Sequence, residues 1–130
     1  MRQWIYSGLC VINGVKFLLD TNVIIGMYHK STEVKALLHD RQVIINQCAY
    51  SAITRMELLG FPSITDIEQQ AIKTLLNKMV RIAITEDIEV TTIKFKQRHR
   101  VKLPDAIIVA TAITYNLELL TLDKDLSSKR

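Results

Sequence analysis

The chain has 130 residues, 48% of them hydrophobic, with only 4 Gly and 2 Pro, which argues against disorder and leaves room for one core of ordinary size. A net charge of +4 suits a polyanionic partner without requiring one, and Cys10 and Cys48, far apart and in no CxxC pattern, argue against a disulfide framework or a zinc site. No window approaches the roughly 18 apolar residues of a membrane span, and Asn13 and Gly14 interrupt the only apolar stretch near the start, so a soluble protein of the reducing cytoplasm is expected.

Residues 15–19 form a short apolar run ending at Asp20 and predict a strand; residues 21–29 shift to helical spacing. A second helix is predicted over residues 32–39 with Ser31 as its cap, then a β-branched strand over residues 43–46. Ser51 can cap a helix that carries Ile53, Met56, Leu58 and Leu59 and stops near Gly60 and Pro62. Thr65-Asp66-Ile67-Glu68 is a capping box and opens a helix to about Lys78. Residues 80–84 alternate as a strand does, and Thr85 with Glu86, Asp87 and Glu89 puts acids at the positive end of a helix that should stop near Arg100. Pro104 suits the first turn of a helix over residues 105–115, apolar on nearly every side and therefore buried, with Asn116 at its end. Residues 118–122 form the last strand, followed by Asp123-Lys124-Asp125 and a polar tail. Strands separated by helices imply parallel pairing through right-handed crossovers, hence an α/β sandwich with about four strands and helices on both faces.

In such sheets ligands bind beyond the carboxyl ends of the strands, where loops and helix N-termini converge. Asp20 and Asp123 both follow predicted strands, and Asp105 opens a buried helix whose free amides and dipole favour a carboxylate there. Glu57 lies about two turns into the helix capped by Ser51, near its apolar stripe. Each acid alone also has a plain structural reading: Asp20 as a cap, Asp105 as a dipole complement, Glu57 as a surface residue, and Asp123 or Asp125 as a turn residue. Gathered in one pocket, carboxylates raise one another's pKa unless a cation compensates, and oxygen-only ligands favour Mg²⁺ or Mn²⁺. With such an ion, one carboxylate can position or deprotonate a bound water, which is the apparatus of phosphodiester hydrolysis.

Residues 17–24, FLLDTNVI, together with SAITRMELLG at 51–60, LPDAIIVA at 103–110 and LTLDKDL at 120–126, resemble the four blocks of a PIN domain in the family's order. The single-domain size resembles the toxin half of VapBC-type toxin-antitoxin pairs. That resemblance implies a PIN-like three-layer sandwich over residues 15–130; such toxins begin almost at the first strand, so residues 1–14 depart from the pattern as an N-terminal extension, either an extra element or the product of an upstream start site. It implies a Mg²⁺-dependent endoribonuclease with Asp20, Glu57, Asp105 and Asp123 as its acidic quartet. Asp20 and Asp105 would be the leading metal ligands with Asp123 beside them, while Thr21, Asn22, Thr54 and Thr121 would orient the acids or position substrate. It further implies a homodimer and a small antitoxin that blocks the site, often with a basic side chain. Asp123 is preferred to Asp125 as the fourth acid, because Thr-x-Asp fits the pattern and Asp123 is nearer the strand.

Residues 94–102, KFKQRHRVK, hold five of the 17 basic residues just ahead of Asp105; they could grip RNA phosphates or be a solvated helix face. His29, His39 and His99 have no mutual metal spacing and read as incidental. A response-regulator receiver would need paired acids after the first strand, a dehalogenase-like phosphatase a second Asp where Asn22 stands, and a Toprim domain a Gly-flanked Glu that is missing. Two rivals persist: a PIN-like module that binds RNA or a partner with an inert pocket, and a nuclease directed at DNA.

Overall fold

The computed structural model describes residues 4–6, 9–11 and 14–128. Strands β1 (Trp4–Tyr6) and β2 (Leu9–Val11) form an antiparallel pair with Trp4 opposite Val11. The chain then enters the main sheet at β3 (Phe17–Leu19), whose three residues are all buried. Asp20 ends that strand and caps α1 (Thr21–Tyr28), and Ser31 caps α2 (Thr32–Asp40). Strand β4 (Cys48–Ser51) runs directly into α3 (Ala52–Leu59), with Ser51 as the hinge and cap. The capping box at Thr65 and Glu68 forms in full and opens α4 (Asp66–Leu76). Then come β5 (Val80–Ile82), α5 (Glu86–Arg98) capped by Thr85, α6 (Leu103–Tyr115), β6 (Glu118–Leu120) and α7 (Lys124–Ser128). Asn116 closes α6 in the left-handed conformation at φ 53°, which the short Asn side chain tolerates. Strand β2 lies against α6.

The main sheet has the order β5-β4-β3-β6 and is parallel throughout, with Leu18 beside Ala49, Leu19 beside Leu120 and Ser51 beside Ile82. Side chains alternate across it, as the pleat requires. Phe17, Leu19, Cys48, Tyr50 and Leu120 point to a core shared with Val23, Ile24, Val34, Leu58 and Leu76 of α1 to α4. Leu18, Ala49 and Leu119 point to a second core built with Ile88 and Phe95 of α5 and the long apolar face of α6. Helices therefore cover both faces of a four-stranded parallel sheet, the expected α/β three-layer sandwich. Helix α6 is buried from Ala106 through Ala112, as its apolar sequence requires.

The second strand departs from the sequence expectation. Residues 43–46 are not a strand: Val43 donates its N–H to Leu38 as the chain leaves α2, Ile44 is 55% exposed, and residues Ile45–Gln47 form a 3-10 turn. The strand lies just beyond, where Cys48, Ala49, Tyr50 and Ser51 are all buried, so burial outweighed the β-branched propensity of Val43 to Ile45. The tail also differs, because residues after Asp123 form α7 and bury Leu126 at 2% exposure. No helix among the described residues is long and apolar enough to cross a membrane.

Candidate functional site

From β3 the sheet grows to one side through β4 and β5, and its last strand joins on the other side. The loops leaving β3 and β6 therefore diverge, and a crevice opens between their carboxyl ends. Asp20 stands at this switch point, its N–H extending the ladder to the Leu120 carbonyl at 3.0 Å. Its side chain is nearly closed off, at 4% exposure. Oδ1 accepts from the Thr21 amide at 2.7 Å, and Oδ2 accepts from the Thr121 hydroxyl at 2.7 Å. Both readings of Asp20, helix cap and pocket acid, hold at once because its two oxygens face different partners.

Thr121 also accepts from the Asp123 amide at 3.1 Å, which fixes the turn after β6. Asp123 Oδ1 accepts from the Leu126 amide at 3.2 Å and so caps α7. On the other flank, Thr21 Oγ1 lies 2.8 Å from Glu57 Oε1 and 3.0 Å from Thr54 Oγ1. Thr54 is fully buried on α3, so this chain of hydroxyls ties the exposed Glu57 to the first residue of α1. Asp105, half-buried, sits in the first turn of α6, where the dipole favours a carboxylate.

The acids feel one another. Burial raises Asp20 above the ordinary aspartate value, against the hydrogen bonds from Thr121 and Thr21, and the charges of Glu57 and Asp123 raise it further. Burial likewise raises Asp105, with Asp20 and Asp123 adding to the shift and Lys102 alone opposing it. Asp123, in the turn after β6, adds its charge to the upward shift of both. The donors are all oxygens, as a hard divalent cation prefers. Among the described residues no three acids, His or Cys close into a ready cage. Mg²⁺ does not require one, since it is usually held by one or two carboxylates and keeps its waters. The surplus of negative charge at a buried carboxylate fits such an ion.

The sequence reading did not foresee the groove beside this crevice. A cavity of about 360 Å³ runs between α1, α3 and α4, walled by Ile24, Ile25, Tyr28, Phe61, Ile72 and Leu75 and edged by Thr21, Asn22 and Glu57. Phe61, 67% exposed after the glycine that ends α3, was the one available signal. His29 borders the groove, His99 packs on the Phe95 ring at 4.4 Å, and His39 lies 3.8 Å from Asp40 in solvent.

The family model described as "PIN domain" matches residues 17–130, which includes all four acids. The chain belongs to the PIN domain family. This PIN domain is also similar to a chain of a toxin-antitoxin complex from Klebsiella pneumoniae, at 34% identity over 86% of this chain and 91% of that one, with a TM-score of 0.74. Its fold is shared with VapBC2 from Rickettsia felis, solved with a DNA fragment from its promoter (17% identity, 88% and 92% coverage, TM-score 0.72). VapBC-1 from nontypeable Haemophilus influenzae shares it too (23% identity, 88% and 92% coverage, TM-score 0.70). No curated protein matches the sequence of this PIN domain.

Proposed function

We propose that this PIN domain is a Mg²⁺-dependent endoribonuclease, the toxin of a toxin-antitoxin pair acting in the cytoplasm, with residues 15–130 as the nuclease and residues 1–14 as an extension on it. The observation that carries this reading is Asp20: a carboxylate 4% exposed at the sheet's switch point, raised by burial above all and further by the charges of Glu57 and Asp123. An acid kept in that state is of use to a fold that binds a cation there.

Asp20, Asp105 and Asp123 would hold Mg²⁺, or Mn²⁺ in its place. Bound there, the ion would polarise a phosphoryl oxygen and lower the pKa of its water. Thr121 holds Asp20 Oδ2 and the turn at Asp123, so both acids are set before substrate arrives. Thr21 fixes Glu57 by Oε1, which leaves Oε2 to take a proton from the attacking water. Asn22, exposed on the same rim, would position the RNA. The phosphorus then gains the water oxygen and releases the ribose oxygen, which takes up a proton. The apolar groove edged by Glu57 suits a segment of an antitoxin, and the Klebsiella complex, at 34% identity, supports such a partner. A homodimer belongs to the same reading.

The test is incubation of pure protein with a pool of structured RNAs and with plasmid DNA, in Mg²⁺, Mn²⁺ or EDTA, beside an Asp105→Asn variant. Metal-dependent RNA cleavage that the variant lacks is the expected result. Cleavage of the plasmid at an equal rate would make this a DNA-directed nuclease, and equal RNA binding without cleavage by either protein would make it an inert binding module.

A further inference from the structure

The basic run before Asp105 has no part in that mechanism, yet the fold places it with care. Lys94 and Arg98 lie one turn apart on α5, Arg100 is in the loop, and Lys102 is the residue from which α6 starts. All of them are exposed. Among the described residues none has a carboxylate within ion-pair distance; the ion pairs found are His39 with Asp40 and Arg41 with Glu118. Lys96 differs from the rest. Its Nζ donates to the Val101 carbonyl at 2.9 Å and pins the loop between α5 and α6 to the last turn of α5. Arg100 and Lys102 are thereby carried on a tethered loop.

That loop delivers the chain to the end of α6 where Asp105 stands. The rim of an acidic crevice is where a phosphodiester meets its worst repulsion, and a cation there offsets it at short range. Lys102 caps α6 three residues before Asp105, its carbonyl accepting from the Ala106 amide at 3.0 Å, and its side chain forms no ion pair among the described residues. Its ammonium group is therefore available to a ligand, and the Asp105 carboxylate is not consumed by a lysine. An acidic protein segment would find the same cations, but it would have to lie across a crevice that is itself acidic. A nucleic-acid backbone can present its phosphates to the cations and to a metal in succession.

We infer that Arg98, Arg100 and Lys102 form a phosphate-binding rail along the α6 side of the crevice, gripping the RNA backbone next to the cleaved bond, with Lys102 nearest the site. The rail rests on the nuclease reading, and its test separates the two. Binding of a labelled single-stranded RNA and of a labelled polyglutamate peptide in EDTA, and cleavage of the same RNA in Mg²⁺, are measured for the wild type, Arg98→Gln/Arg100→Gln/Lys102→Gln, Lys102→Gln and Lys102→Arg over a range of salt. Lys96 is left intact because it holds the loop, and thermal unfolding confirms that each variant is folded.

Loss of three contacts should make the dependence of log Kd on log salt shallower by about 2, at roughly 0.7 per contact on a single strand, and weaken low-salt binding on the order of tenfold. Lys102→Gln should raise KM severalfold more than it lowers kcat, and Lys102→Arg should restore both. Unchanged affinity and salt slope in the triple variant, with wild-type cleavage intact, would overturn the rail and leave the nuclease standing. A wild type that neither binds nor cuts RNA would overturn both. Weakened capture of an acidic peptide with RNA affinity unchanged would assign these cations to a protein interface and end the proposal.

Discussion

Asp20 is held by two hydrogen bonds and repelled by two acids, and the balance has a sign that can be measured. Burial lifts Asp20 and Asp105 above the ordinary value of 3.8, so ionising them works against the fold. Their contribution to stability is complete below about pH 3.8 and is lost as the pH rises through the raised values. In EDTA at pH 7, Asp20→Asn should therefore melt above the wild type, because Asn still accepts from the Thr21 amide while shedding the charge; the difference should shrink toward zero on acidification. A variant melting below the wild type at pH 7 would contradict this account of the site. Thr21 carries the opposite expectation. Removing its hydroxyl in Thr21→Val strands the Thr54 hydroxyl at a fully buried position, which should cost about 1–3 kcal/mol in urea unfolding. Thr21→Val/Thr54→Val should recover most of that loss, since no polar group is then left stranded.

Helices α1 and α2 meet at Gly26, where an added Cβ would run into Val34 Cγ2 and Cβ. Gly26→Ala should therefore cost about 1–3 kcal/mol by overpacking, although alanine favours helices, and thermal melting distinguishes the two effects. The same contest between local preference and packing governed what could be read in the sequence. Caps were plain, because Ser31, Ser51, Thr65 and Thr85 bond amides within three residues of themselves. The strand after α2 was misplaced because Val43, Ile44 and Ile45 have the propensity while Cys48 to Ser51 have the burial, and burial is a property of the folded neighbours. The final helix has no signature in the polar tail, because it depends on Asp123 accepting from the amide of Leu126 and on Leu126 entering the core. Within the site, the placement of Asp20 and Asp105 follows from strand and helix ends that the sequence marks. The tie from Glu57 through Thr21 to Thr54 joins residues 33 and 36 positions apart and has no local signature.

At the scale of the whole molecule, a divalent cation held as proposed at the acidic edge of the parallel sheet would link metal binding to folding. Mg²⁺ at 100 times its Kd should add about 2.7 kcal/mol to the stability of the wild type and close to nothing to Asp20→Asn, as read from thermal shifts across a titration. Affinity should rise with pH over the window in which Asp20 and Asp105 lose their protons, because the ion and the protons compete for the same oxygens. A thermal shift of equal size in the variant would place any bound ion elsewhere. The bond from Thr121 to Asp20 joins residues 101 positions apart, and the pairing of β3 with β6 closes the same long loop. A chain emerging from a ribosome thus shows Asp20 early but holds neither Thr121 nor Asp123 until β6 and the turn after it clear the exit tunnel. Fragments from premature termination upstream of β6 lack Thr121 and Asp123 and therefore carry Asp20 without the partners that set its pocket.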